Sequence, residues 1–139
     1  MPYAIAIEPN ASPADIEAVH AGLLEYNRPF ISFEGTGPLN IFLRDEHGAL
    51  AGGLLAYVVW GWIDVDILWI AEGARGQDYG SRMLALAEQE AAQRGCHHVM
   101  LDTMSFQALP FYLKQGYTQW GQLDDCPIGH SRIFLKKAL

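Results

Sequence analysis

The chain reads Glu72-Gly73-Ala74-Arg75-Gly76-Gln77-Asp78-Tyr79-Gly80-Ser81 between an apolar segment that ends at Ile70 and a long amphipathic segment. This order predicts a strand, a tight glycine turn and a helix. Backbone amides at a helix N-terminus have no intrahelical acceptor, and the helix dipole adds partial positive charge there. Glycines let an anion approach the backbone, and Arg75 adds a mobile charge, so the turn is a candidate anion site.

Patterns on either side of the turn fit this unit. Residues 62–70 place Asp64 and Asp66 between apolar neighbours, which predicts a strand with one polar and one apolar side, the latter including Ile67. Residues 79–94 repeat apolar side chains every three or four positions, which predicts a helix that Gly95 ends. The repeated positions are Met83, Leu84, Ala87 and Ala91.

Similar patterns divide the rest of the chain. Ser12 and Pro13 begin a helix that should end before Pro29, and residues 108–115 form a short helix. Further strands are predicted at 3–8, 41–44, 50–59, 99–103, 117–123 and 132–136, with a hairpin turn at 45–48. The mixed order of helices and strands predicts an α/β fold.

Length and composition narrow the class. With 139 residues, half of them hydrophobic, we expect a single domain over residues 1–139. A formal charge of -7 argues against a nucleic-acid partner. Neither a secretory signal nor an apolar run of membrane-spanning length is evident, so we expect a cytoplasmic protein without membrane contact. Cys96, His97 and His98 lack a second ligand cluster, and we expect no metal.

At the turn, the sequence resembles the GCN5-related N-acetyltransferase (GNAT) superfamily. The family signature for the acyl-coenzyme A pyrophosphate is Arg or Gln, two residues, Gly or Ala, one residue, and Gly or Ala, matched here by residues 75–80. Asp78 departs from it, since the family has a small residue there. A carboxylate is unfavourable beside phosphates, so Asp78 either caps the helix, which we favour, or weakens binding.

A second match lies in residues 105–117. It is similar to the family pattern of Asn, two residues, Ala, three residues, Tyr, three residues and Gly-Phe, with Ser105 replacing Asn and Tyr117 replacing Phe. The resemblance implies a mostly antiparallel mixed sheet with flanking helices, splayed at the acyl-CoA site between the strand ending at Ile70 and strand 99–103. It also implies N-acetyl transfer from acetyl-CoA.

The resemblance further implies roles for single residues. Tyr112 would give its proton to the leaving thiolate, and because adjacent helical residues point different ways, we expect Tyr112 rather than Phe111 in the cofactor groove. The cofactor-binding residues implied are Leu68, Trp69, Ile70, Arg75, Gly76, Gln77, Asp78, Tyr79, Gly80, Ser81, Ser105 and Tyr112.

The base that deprotonates the amine is less defined. Asp64 and Asp66 are our first choice, since the family commonly activates the amine from this strand. The other candidates are His20, Glu25, Glu34, a water relay, and His130 in a late loop.

The acceptor stays open between a small-molecule amine, which we favour, and a protein amine. Direct attack in a ternary complex is expected, so no covalent enzyme intermediate is needed. The many aromatic residues leave a homodimer open. A non-catalytic acyl-CoA sensor is the alternative function. A nucleotide-binding domain would need a Lys-Ser or Lys-Thr pair, which the turn lacks, or an acidic ribose ligand on a following strand.

Overall fold

A computed structural model describes residues 2–139, which divide into two compact units, 2–32 and 33–139. In the first unit, helix α1 spans Pro13–Asn27. The Ser12 hydroxyl accepts a hydrogen bond from the backbone nitrogen of Asp15 at 3.1 Å, as an N-cap residue does. The predicted start and end of this helix are therefore confirmed.

The strand predicted at residues 3–8 is wrong. No strand is assigned in the described part of the first unit, and the side chains of Tyr3, Ile5 and Ile7 are almost fully exposed. An alternating pattern forms a strand only where a second strand accepts its backbone hydrogen bonds, and residues 2–32 contain none.

The second unit contains all the strands and two helices. The elements are β1 (Gly37–Arg44), β2 (Leu50–Val59), β3 (Trp62–Ile70), a 3₁₀ turn (Glu72–Ala74), α2 (Tyr79–Gln93), β4 (His98–Met104), α3 (Leu109–Lys114), β5 (Thr118–Asp124) and β6 (Ser131–Ala138). Each was predicted within a few residues apart from the 3₁₀ turn. At the β1–β2 hairpin, one Asp45 carboxylate oxygen accepts the backbone nitrogens of His47 and Ala49 at 2.8 and 2.9 Å.

Within residues 33–139 the strands form one six-stranded sheet in the order β1-β2-β3-β4-β6-β5. Only β3 and β4 run parallel, and they pair over just four residues each, from Trp62 opposite His98 to Val65 opposite Leu101. Beyond that point β4 bonds to β6 and β3 bonds to β2. The predicted α/β fold with a mostly antiparallel sheet is confirmed. The sheet splays where β3, the strand that ends at Ile70, separates from β4.

A β-bulge sits where β3 leaves β4. In the pairing with β2, Asp66 is the additional residue. Val65 is buried before the bulge, and Leu68 and Ile70 pack against the core after it, while Ile67 is half exposed. The expectation that Ile67 shares the apolar side is wrong, because one inserted residue reverses the alternation.

Helix α2 covers one face of the sheet with its predicted apolar stripe. Met83, Leu84, Ala87 and Ala91 are all buried in the core cluster, together with Leu54 and other strand residues. This packing fixes where the N-terminus of α2 lies relative to the end of β3. No helix within residues 2–139 has the length and apolar character needed to span a membrane.

Candidate active site

A cavity of about 850 Å³ lies between two walls. The end of β3, the following turn and the start of α2 form the first wall, and the β4–α3 connection with α3 forms the second. Most of the residues predicted to bind the cofactor line it. They are Leu68, Trp69, Ile70, Arg75, Gly76, Asp78, Tyr79, Gly80, Ser81 and Tyr112.

The turn before α2 has the backbone that an anion site needs. Gly76 and Asp78 both have positive φ, at 74° and 63°, and α2 begins at Tyr79. The Asp78 carbonyl accepts the Ser81 hydroxyl at 3.0 Å and the backbone nitrogen of Arg82 at 3.1 Å. The first amides of the helix have no intrahelical acceptor, and Tyr79, Gly80 and Ser81 line the cavity.

The prediction that Asp78 caps α2 with its side chain is wrong. Asp78 holds the N-cap position, but its left-handed conformation differs from the extended backbone of a capping residue, and its carboxylate accepts no capping hydrogen bond. The positive φ also explains why the family has a small residue here. Asp and Asn are the non-glycine residues that tolerate this conformation best.

Positive charge reaches the cavity from both walls. The Nε of Arg75 donates to the Ile70 carbonyl at 2.9 Å, which ties the turn to the end of β3 while the rest of the guanidinium stays available. Lys114, at the end of α3, also lines the cavity. The positive charges of Arg75 and Lys114 offset the negative charge of Asp78, which lines the same cavity.

Tyr112 lies on α3, where its ring is buried and also lines the cavity. Burial, and secondarily the negative charge of Asp102, raises the pKa of its phenol to about 12. The phenol is therefore protonated at neutral pH, and its hydroxyl donates to no other described residue. Phe111 lines the cavity as well, 5.1 Å from Tyr112 between ring centroids, so the expectation that only one of the two faces it is wrong.

Asp64 and Asp66 do not line this cavity. Asp64 lies opposite Met100 in the β3–β4 register, on the same sheet face as Asp102. Burial raises the pKa of Asp64, and the charges of Asp102 and Asp66 add to the increase, while Arg132 lowers it. Arg132 donates to an Asp102 oxygen at 2.9 Å. The structure thus groups three carboxylates where the sheet begins to open.

Sequence reasoning missed Asp102, which contributes to the raised pKa of both Asp64 and Tyr112. A signal was available, since Asp102 is the one carboxylate in a strand whose other residues are mostly apolar. Of the other proposed bases, His20 and Glu25 belong to the unit of residues 1–32. The centroid of the His130 ring lies 4.8 Å from that of Phe106, and Phe106 lines the cavity.

Two residues predicted to bind cofactor lie outside the cavity lining. The Gln77 amide donates to the Gly73 carbonyl at 3.4 Å. The Ser105 hydroxyl accepts the backbone nitrogen of Ser131 at 3.0 Å, which joins the β4–α3 connection to the start of β6. Gln107, two residues further on, lines the cavity and was not predicted to do so. Within residues 2–139, no three His, Cys, Asp or Glu side chains are grouped to hold a metal ion.

Comparison with known proteins identifies the class. The acetyltransferase (GNAT) family model matches residues 7–117. The chain is 35% identical over 121 residues to acetyltransferase Atu2258 of Agrobacterium fabrum, covering 87% of this chain and 88% of that protein. It is 43% identical over 106 residues to blasticidin-S acetyltransferase of Streptomyces morookaense, covering 73% and 78%.

The solved structures agree. An acetyltransferase from Bacillus cereus superposes with a TM-score of 0.86 at 31% identity, over 97% of this chain and 98% of the other. The splayed sheet, its cavity and these relatives define an acyltransferase enzyme. The chain belongs to the acetyltransferase (GNAT) family.

Proposed function

We propose that the protein transfers an acetyl group from acetyl-CoA to the amine of a small molecule, by direct attack in a ternary complex. One observation carries the proposal: a single cavity joins the anion-binding turn to the protonated phenol of Tyr112. Its volume of about 850 Å³ is within the usual range of roughly 300–1,000 Å³ for ligand pockets.

The residues present fit acetyl-CoA. The start of α2 offers free amides and the positive end of its dipole to the pyrophosphate, with Arg75 and Lys114 adding charge. Beyond the bulge, β3 has no strand on its β4 side within residues 2–139. The backbone groups of residues 67–70 that face this side, apart from the Ile70 carbonyl that accepts Arg75, can therefore hydrogen-bond the amides of the pantetheine arm, which would lie along β3 as an added strand.

Catalysis would use groups on both sides of the opening. The amine nitrogen attacks the thioester carbonyl carbon, forming the C–N bond, and the C–S bond then breaks. Tyr112 gives its phenolic proton to the departing sulfur. Asp64 or Asp66 takes the proton lost by the amine, directly or through water, and its raised pKa makes the Asp64 carboxylate a better proton acceptor than an ordinary aspartate. The protonated Asp then loses its proton to water and the Tyr112 phenolate takes one back from water, which restores the carboxylate and the phenol for the next cycle.

A small cationic amine is the acceptor that the charges favour. The carboxylates of Asp64, Asp66 and Asp102, in a protein of charge -7, attract an ammonium group to the opening. The relative from Streptomyces morookaense is a blasticidin-S acetyltransferase, which supports a small-molecule acceptor for this chain. A cytoplasmic location, a single catalytic domain over residues 1–139 and a homodimer remain predictions of the sequence.

The test is release of free thiol from acetyl-CoA across a panel of small amines and peptide amines. Tyr112→Phe should lower kcat roughly 100-fold, because a positioned general acid contributes about 10²-fold or more, and should leave the Kd for acetyl-CoA almost unchanged. With the pKa of Tyr112 at about 12, the rate should not fall between pH 7 and about 10 through loss of this proton.

Tyr117→Phe is the matched control. It removes a phenolic hydroxyl from a neighbouring ring, whose centroid lies 5.8 Å from that of Tyr112, and should leave kcat unchanged. Binding of acetyl-CoA without turnover of any amine would contradict the proposed transfer.

A further inference from the structure

Gln107 stands at the junction between β4 and α3, on the second wall of the cavity. Its backbone nitrogen donates to the Met104 carbonyl at 2.9 Å, and its side-chain Oε1 accepts the Met104 backbone nitrogen at 2.8 Å. This reciprocal pair holds Gln107 from both ends. The side chain is exposed to the cavity but is not free to turn.

The orientation of the Gln107 amide is fixed by chemistry as well as by distance. Thr103 is 2% exposed, and its hydroxyl oxygen accepts the backbone nitrogen of Ala108 at 3.2 Å. The same hydroxyl donates to Gln107 Oε1 at 3.4 Å. Since Met104 N–H and the Thr103 hydroxyl both require an acceptor, the atom that they share must be the amide oxygen.

The amide nitrogen, Nε2, is consequently the polar atom of this side chain that has no part in these hydrogen bonds. Oε1 and Nε2 lie on opposite sides of a planar amide, so anchoring Oε1 against the β4–α3 connection directs Nε2 away from it. Nε2 donates to no other described residue, and Gln107 lines the cavity that Tyr112 and Arg75 also line. The wall thus presents a held donor with two hydrogens.

We propose that Gln107 Nε2 binds a carbonyl oxygen of the acyl-CoA arm, either of a pantetheine amide or of the thioester itself. Resting on the proposed function, this inference assigns a polar contact on this wall to Gln107 rather than to Ser105, which lies outside the cavity lining. A carbonyl oxygen is the complement of a neutral amide donor. Phosphate is better served by the first wall, where Arg75 and the α2 amides lie.

The experiment measures Kd by calorimetry for acetyl-CoA and for CoA, which lacks the thioester carbonyl. Gln107→Glu keeps an oxygen for Met104 and Thr103 but removes the donor. Gln107→Met removes the donor without adding charge. Thr103→Val keeps the donor and removes one of the bonds that orient it, in a side chain of similar shape.

Both Gln107 variants should weaken binding roughly two- to tenfold, the range for one lost hydrogen bond. Thr103→Val should weaken it less. Gln107→Glu should unfold at a Tm close to the original, because its internal hydrogen bonds remain. Its added carboxylate repels the phosphates of the ligand, so the Kd values are compared at high salt, where this repulsion is screened and a merely structural Gln107 predicts no loss of binding in that variant.

The two ligands separate the sources of the carbonyl. Equal weakening for acetyl-CoA and CoA assigns the contact to a pantetheine amide, and weakening for acetyl-CoA alone assigns it to the thioester. Unchanged Kd values in both Gln107 variants, with tight binding by the original protein, would overturn this inference only. An original protein that binds neither ligand would overturn the proposed function and this inference with it.

Discussion

The two walls of the cavity are built in different ways. On the first wall, between β3 and α2, the groups offered to a ligand are backbone amides, and their positions depend on positive φ at Gly76 and Asp78. On the second wall, between β4 and α3, the groups are side chains held by other side chains, as Thr103 holds Gln107. Local conformation therefore makes the first wall, whereas the second wall also depends on a long-range contact, in which the Ser131 backbone nitrogen donates to Ser105 across 26 residues.

This difference predicts where each wall is vulnerable. The first wall should respond to substitutions that change charge or backbone conformation within the turn itself. The second should respond to residues far along the chain that pin α3, since Tyr112 sits on this helix of six residues. A short helix has little stability of its own and depends on its tertiary contacts.

The largest effect is expected from Lys137→Met, which removes the anchor of α3. Lys137 Nζ donates to both Glu88 carboxylate oxygens, at 2.6 and 3.3 Å, and to the Gln115 carbonyl at 2.9 Å. Since the Glu88 side chain is only 13% exposed, losing its partner leaves a buried charge unpaired. We expect the free energy of unfolding to fall by about 3 kcal/mol, measured by urea denaturation.

Two further variants show whether the stability loss in Lys137→Met comes from the unpaired charge of Glu88. Lys136→Met removes the exposed neighbouring lysine and should change the free energy of unfolding by less than about 0.5 kcal/mol. Glu88→Leu combined with Lys137→Met should recover most of the loss, because no unpaired charge remains. A Lys137→Met protein as stable as the original would mean that the pair does not support the second wall.

A smaller effect, confined to the first wall, is expected from Asp78→Asn. Asn tolerates positive φ as Asp does, so the variant changes the charge beside the pyrophosphate and keeps the turn. The Kd for acetyl-CoA should fall about fivefold at low salt, and the gain should shrink as ionic strength rises, because Asp78 is exposed and its charge is screened.

Asp78→Gly is the companion variant, which also relieves the left-handed backbone. It should match Asp78→Asn in affinity and exceed it in Tm. Equal Kd values for Asp78→Asn and the original protein would show that the carboxylate points away from the bound phosphates, and the unusual residue would then carry no functional cost.

The contrast between the walls also explains how much could be predicted from the sequence. The strand, turn and α2 were predictable because glycines and periodicity act over a few residues, although the capping role predicted for Asp78 was wrong. The β-bulge at Asp66 could not be predicted, since it depends on the register between β3 and β2. Likewise Ser105 matches the family pattern but lies outside the cavity lining and accepts a hydrogen bond from Ser131, 26 residues away, whereas Gln107 lines the cavity.

The smallest effect is expected from Tyr117→Phe, and its sign is opposite to that of Lys137→Met. Tyr117 is 3% exposed, and its hydroxyl has no hydrogen-bond partner among the described residues. Removing an unpaired buried hydroxyl should raise the free energy of unfolding by about 1 kcal/mol. Burial, with Glu88 and Tyr112, raises the pKa of this phenol, so the original protein loses stability above about pH 10, where the unfolded chain ionises. The advantage of the variant should therefore grow above that pH. A destabilised Tyr117→Phe protein would mean that the hydroxyl binds water or a ligand, and the second wall would then contain a polar contact beyond Gln107 and Tyr112.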